Sequence, residues 1–244
     1  MQRGFSLVEL SIVLVILGLL TGGILAGQSL IRASELRAVS TEYQRYIAAT
    51  QTFRDKYFAI PGDFNNAVSF WGRVGGGAGQ CATPATDTDT GLPTCNGDGS
   101  SRIDLGTSEP TRYWEHLATT GLIEGSFSGI GTSTPVTTRS PASKLANAWW
   151  NSTHYSINGG DANFFAQEYA HILFLSDMNG AIVLRPEEAW NIDTKLDDGR
   201  PAAGRIWAGF RGTCTNSTSA TDYAATYLLS SSTIGCGLLF ARSF

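Results

Sequence analysis

The chain reads as an α+β protein: one long N-terminal α-helix carrying a globular head built on an antiparallel β-sheet. Three observations carry that reading. Residues 5 to 31 form an apolar run that holds one charge, Glu9, and no other before Arg32. The pattern then passes without a break into an amphipathic stretch that ends near Phe58. Beyond Pro61-Gly62, short apolar segments alternate with Gly, Asn, Ser and Thr clusters, the pattern of strands, short helices and turns.

The long helix is justified by its periodicity. After Arg32, the charges Glu35, Arg37, Glu42, Arg45, Arg54, Asp55 and Lys56 interleave with Leu36, Val39, Tyr43, Tyr46, Ile47, Phe53 and Tyr57. Apolar positions at intervals of three and four make a stripe on which a head can pack, and Pro61-Gly62 stops the helix. The aromatic set Tyr43, Tyr46, Phe53, Tyr57 and Phe58 is read as part of that covered face. From Phe5 to Phe58, at 1.5 Å per residue, such a helix is about 80 Å long, a stalk rather than a core element. Gly18, Gly22, Gly23 and Gly27 weaken its lower half, because each glycine costs a helix roughly 1 kcal/mol relative to alanine. That half is therefore expected to bend or unwind when it leaves a bilayer for a filament.

A carboxylate in the middle of an apolar, membrane-length segment costs roughly 3 kcal/mol on insertion scales, so Glu9 needs a partner or a task. The residues Gly4, Phe5 and Glu9, in the setting GFSLVELSIVLVILGLL, resemble the class III leader of type IV prepilins and of type II secretion pseudopilins. The resemblance implies a pilin-like fold. It also implies cleavage between Gly4 and Phe5 by a prepilin peptidase, methylation of the new amino terminus at Phe5, and an assembly role for Glu9. The freed α-amine, with a pKa near 8, is a cation that a neighbouring subunit's Glu9 can neutralise inside an apolar filament. A secretory signal would need a small-x-small site, a lipoprotein signal a cysteine where Gln28 stands, and a plain anchor leaves Glu9 unexplained.

The expected organisation is a leader at 1–4, a stalk at 5–58 whose half 5–31 spans the membrane or assembles, and a head at 59–244. Partners implied by the resemblance are further copies in a helical homopolymer, other pilin subunits, the prepilin peptidase and an inner-membrane assembly platform. The expected location is the inner membrane, head in the periplasm, and then an extracellular pilus or a periplasmic pseudopilus. The function so implied is a structural subunit of a type IV pilus or related filament supporting adhesion or motility. The alternative is a pseudopilin or a minor, tip-located adhesive pilin. The stalk lacks the mid-segment proline common in major pilins, its first proline being Pro61.

Composition excludes other classes. The net charge of −4 and pI of about 5.4 offer no basic stripe for nucleic acid. No nucleophile elbow and no H-E-x-x-H pair is present, and His116, His154 and His171 are isolated in the sequence, so no catalysis is expected. His116 is read as a packing or surface residue. Four cysteines, Cys81, Cys95, Cys214 and Cys236, form an even set outside the stalk, as in an oxidising compartment. Of the three connectivities, adjacent pairing is favoured because Cys81 with Cys95, and Cys214 with Cys236, each close a short loop.

Within the head, a glycine-rich connector from Gly75 to Gly79 leads into the first cysteine loop. After it come Asn96, Asp98, Ser100, Arg102 and Asp104 at alternate positions, then Glu109. Oxygen ligands so spaced resemble the start of an EF-hand calcium loop, although Ser101 replaces the central glycine and Thr107 the twelfth-position carboxylate. The competing reading is a polar turn, so no cofactor is required and calcium in the head stays open. Short helices are expected from Ser108 to Gly121 and from Pro186 to Gly199. The second places Asp193, Asp197 and Asp198 near its negative end, as a structural acidic cluster answered by Lys195, Arg200 or Arg205 or by a cation, with the basic side chains favoured. Strands are expected at 171–176, 181–184, 205–210, 227–230 and 236–240, with Asn179-Gly180 as a hairpin turn. Ser/Thr-rich stretches at 126–140 and 213–221 are expected to be exposed loops.

Overall fold

The computed structural model describes residues 6–72, 94–129, 131, 138–157, 161–177 and 182–244. Gly4, Phe5, the Gly75 to Gly79 connector, Cys81 and the Asn179-Gly180 turn lie outside these residues, as do parts of the 126–140 stretch.

The stalk is a continuous helix, α1 (Leu7–Tyr57), about 77 Å long at 1.5 Å per residue. The four glycines of its lower half sit within unbroken helix and touch nothing outside it. It ends where Phe58 takes a left-handed conformation at φ 53° and its N–H bonds back to Arg54. Phe58 itself is 94% exposed, which removes it from the covered aromatic face expected of it. The left-handed turn swings its side chain off the stripe formed by Val39, Tyr46, Ala49 and Phe53.

The head wraps the upper half of α1. Short helix α2 (Ala67–Trp71) and helix α3 (Glu109–Thr119) cover the stripe near its top. A four-stranded antiparallel sheet follows, with β1 (Trp149–Ile157), β2 (Gln167–Ser176), β3 (Ile206–Gly209) and β4 (Gly237–Phe240) in the order β1-β2-β4-β3. Helix α4 (Pro186–Leu196) packs against α1 below it, and the short α5 (Arg211–Cys214) follows β3.

The inner face of the sheet supplies Trp150, Leu173, Leu238 and Phe240 to one core with the stalk stripe. Tyr46 meets Trp114 and Trp150 edge-on at 5.0 and 5.5 Å between ring centres, and Tyr43 stacks on Phe240 at 4.4 Å. The outer face carries a second cluster around Phe165, Tyr169, Ile172, Trp207 and Leu239.

Several expectations change. Strand β1 was not foreseen, because its centre is polar: Asn151, Ser152 and Thr153 are buried and bonded to Ser176, Pro110 and Ile103. Of the segment expected as a strand at 181–184, the described residues form an isolated bridge, Leu184 with Cys236. Residues 227–230 likewise reduce to the bridge between Thr215 and Tyr227. The 213–221 stretch begins inside α5 with Cys214 and Thr215 buried, and Arg139 and Ser140 close the 126–140 stretch in buried positions. Helix α4 stops at Leu196 rather than at Gly199, and α3 is capped by the Thr107 hydroxyl rather than by the Ser108 side chain.

Candidate functional site

The lower half of α1 has no head around it, and its large apolar side chains from Leu7 to Ile31 are exposed. Its hydroxyls are satisfied within the helix. Ser11 donates to Val8, Thr21 to Leu17 and Ser29 to Ala26, at 2.8 to 2.9 Å. Such a helix offers lipid or a packed bundle no unmet backbone or hydroxyl demand. At its start, Ser6 and Glu9 form a capping box: Glu9 Oε2 accepts the Ser6 N–H at 2.8 Å, and Ser6 Oγ accepts the Val8 N–H. The free chain thus holds the Glu9 carboxylate at its own helix N-terminus, where the dipole favours an anion.

Arg32, the first charge above the apolar run, fixes the head on the stalk. Its guanidinium forks onto Glu188 of α4, Nε to Oε1 at 2.6 Å and Nη2 to Oε2 at 2.7 Å, while Nη1 reaches Glu35 at 3.0 Å. Burial would raise the Glu188 carboxyl, but Arg32 and the Arg185 N–H outweigh it and hold it below its ordinary value.

The apolar segment with its capped carboxylate therefore has the length, polarity and charge expected of a membrane-held subunit. Residues 1–25 match the prokaryotic N-terminal methylation motif. That match makes the amino terminus similar to a class III prepilin leader. A long helix carrying a head on an antiparallel sheet is an architecture consistent with a pilin-like α+β fold, and the apolar helix suits membrane insertion before assembly. No curated protein and no solved structure matches the chain.

In the pilin-like head, the cysteines divide as follows. Cys214 is bonded to Cys236, Cys95 is disulfide-bonded, and its expected partner Cys81 lies outside the described residues. Beside Cys95 the loop at 96–104 folds around Asp63. The main chain of Gly97 lies so close to that of Asp63 that a Cβ would sit 2.2 Å from the Asp63 carbonyl carbon, so glycine is required there. Asp63 accepts the N–H groups of Ser100 and Ser101, and Glu109 accepts those of Asp98 and Asp104.

Carboxylate oxygens of Asp63, Asp98 and Glu109 come within 4.8 Å of one another. Of the residues read at alternate positions, only Asp98 and Glu109 join this cluster. Asn96 instead accepts the Val68 N–H, and Ser100 and Asp104 contribute main-chain N–H groups. Asp63 was missed because it belongs to the turn after the stalk. Burial and then the hydrogen bond shared with Asp98 push its carboxyl up to about 6, whereas Ser100 holds Asp98 low.

The acidic cluster of α4 is answered differently from expectation. Asp197 accepts the N–H groups of Arg205 and Ile206, joining the helix to β3, and Asp198 accepts that of Arg200. Asp193, fully buried, accepts the Tyr227 hydroxyl at 2.8 Å and the Gly199 N–H. Main-chain N–H groups thus meet these carboxylates where basic side chains were favoured. Burial pushes Asp193 up to about 7.

The histidines also resolve. His116 is buried: its Nδ1 accepts the Gly62 N–H at 2.9 Å and its Nε2 lies 3.1 Å from the Cys95 carbonyl, which fixes the neutral tautomer with the proton on Nε2. His154 and His171, isolated in the sequence, stand opposite each other across β1 and β2.

Proposed function

We propose that this chain is a structural subunit of a type IV pilus or pilus-like filament. In this reading it is cut between Gly4 and Phe5, methylated at Phe5, held in the inner membrane, and then polymerised through residues 5–31 with other copies and other pilin subunits. The single observation that supports it is the pairing of the methylation motif with a bare apolar helix whose one carboxylate is Glu9. Burying that helix among its copies removes its exposed apolar area from water, and the freed amine of the next subunit supplies the cation for Glu9. The head gives the filament its outer surface and has no catalytic role.

A second reading, a pseudopilin or scarce tip subunit, draws on one observation: no proline interrupts the stalk, and α1 is unbroken from Leu7 to Tyr57. Abundance in sheared surface filaments separates the two. Glu9→Ala tests the shared premise. The variant should be processed and membrane-held but absent from filaments, and normal incorporation would refute the charge pairing. For the head, calcium is proposed at Asp63, Asp98 and Glu109 rather than at the alternate positions of the loop.

A further inference from the structure

The upper end of α1 finishes on an aromatic side chain left in water. Phe58 takes the left-handed conformation at φ 53° and ψ 33°, a place at helix ends usually held by glycine because a Cβ is crowded there. Its N–H returns to the Arg54 carbonyl, so the main chain is fixed while the residue stays 94% exposed. The neighbouring aromatics Phe53, Tyr57 and Phe64 pack on one another inside the head, and Phe58 stands outside that stack. A strained backbone that leaves a large apolar ring in solvent serves neither the helix nor the core. The ring is available to something outside the chain.

Phe58 lines a cleft of about 670 Å³, a volume in the range of small-ligand sites. The last turns of α1 contribute Gln51, Arg54 and Asp55 to it, and the turn that follows contributes Asp63 and Asn65. The side chains of Gln51, Arg54, Asp55 and Asn65 make no hydrogen bond or ion pair among the described residues, whereas Asp63 is held in place by the N–H groups of Ser100 and Ser101. One guanidinium, two carboxylates and two amides put donors and acceptors in near balance. That balance decides the ligand class. An anion would meet Asp55 and Asp63 beside the one cation Arg54, a wholly apolar ligand would desolvate the polar groups without partners, and a bare ion would give Phe58 nothing to do.

We propose that this cleft binds a neutral saccharide, one pyranose ring lying on Phe58 while its hydroxyls are met by Arg54, Asp55, Asp63 and the amides of Gln51 and Asn65. A pyranose has the matching two-sidedness. Its C–H groups make a flat apolar face for an aromatic ring, and each hydroxyl both donates and accepts, so mixed side chains of this kind satisfy adjacent hydroxyls in pairs. The rigid main chain of Phe58 keeps the stacking ring in place before the ligand arrives. The cleft sits at the other end of α1 from the bare apolar half and is separate from the filament reading.

The test is saturation-transfer NMR on the full chain, in a detergent without a sugar headgroup, with cellobiose, lactose and diacetylchitobiose as probes. Binding of at least one of them is expected, with the strongest transfer to ring C–H protons. Sialyllactose, which adds a carboxylate to lactose, should bind no better than lactose itself. Phe58→Ala should weaken binding roughly tenfold with the melting temperature unchanged, because the ring it removes is exposed. Phe58→Trp should keep it, and Gln51→Ala, on an exposed part of the helix, should weaken it without touching the fold. Trp190→Ala, which removes an exposed aromatic on α4, should leave binding intact. The proposal is overturned if none of the three neutral sugars binds, if Phe58→Ala binds as tightly as wild type, if sialyllactose outbinds lactose, or if Trp190→Ala is the variant that loses the sugar.

Discussion

Glu42, on the buried face of the stalk, accepts the indole N–H of Trp150 at 2.8 Å across 108 residues of sequence. The same carboxylate takes the Ser143 hydroxyl at 2.6 Å and the Lys144 N–H at 2.9 Å, so one side chain holds both the loop before β1 and β1 itself. Glu42→Ala strands three donors in a buried site. A loss of about 3 kcal/mol in head stability is expected, read from denaturant unfolding followed by tryptophan fluorescence. Glu42→Gln keeps an acceptor and should cost about 1 kcal/mol. Equal stability of all three proteins would show that Trp150 packing alone fixes the strand.

The Arg32 fork onto Glu188 ties the lower head to the stalk. With the Arg32 side chain about a third exposed, its contribution is modest, about 1 kcal/mol, and should fade as salt is added. Arg32→Lys is expected to behave like Arg32→Ala, because an ammonium cannot make the paired contact to both carboxylate oxygens. The measurement is the unfolding midpoint at low and high ionic strength. A lysine variant indistinguishable from wild type would mean that point charge suffices.

The parts read correctly from sequence are those governed by local periodicity. The three-and-four spacing of Val39, Tyr46 and Phe53 gave away the stalk, and the close spacing of Cys214 and Cys236 their bond. What escaped depended on distant partners. β1 buries Asn151, Ser152 and Thr153 against acceptors elsewhere in the chain, so no apolar alternation marks it. Leu184, at the end of a segment expected as a strand, bridges Cys236 fifty-two positions later rather than a sequence neighbour. Asp63 joins Asp98 only because Gly97 lets the two main chains touch, and His154 meets His171 only through a register that no local pattern encodes. The Pro61-Gly62 stop beside an acid was the available signal for Asp63.

Buried ionisable groups give the head a defined pH profile. Glu115, fully enclosed beside Thr94, is pushed up to about 8 by burial, and Asp193 to about 7. Each binds its proton more tightly folded than unfolded, so stability rises as pH falls from about 8 towards 4.5 for Glu115, and from about 7 towards 3.8 for Asp193. His116 and His171, held down by burial to about 3 and about 4, act oppositely, and their contribution is lost as pH falls below about 6.5. With Asp63, raised to about 6, acting as Glu115 and Asp193 do, the expected curve climbs from pH 8 to 6.5, continues upward more gently to about 4.5 and drops at lower pH. Glu115→Gln should flatten the climb, measured as melting temperature against pH. A variant with the wild-type slope would remove Glu115 as its source.

Calcium and protons should compete in the loop that wraps Asp63. Near pH 5 the Asp63 carboxyl, raised to about 6, keeps a proton that it shares with Asp98, and above pH 7 both are ionised beside Glu109. Three carboxylates that close repel one another unless a cation answers them, and a hard dication with oxygen ligands suits the set. Millimolar calcium should therefore raise the melting temperature at pH 7.5, by the equivalent of about 2.7 kcal/mol at a hundredfold excess over the dissociation constant. At pH 5 the gain should shrink, and in Asp98→Asn it should vanish at both pH values. A melting temperature indifferent to calcium and chelator at pH 7.5 would mean that the N–H groups of Ser100, Ser101, Asp98 and Asp104 close this loop by themselves.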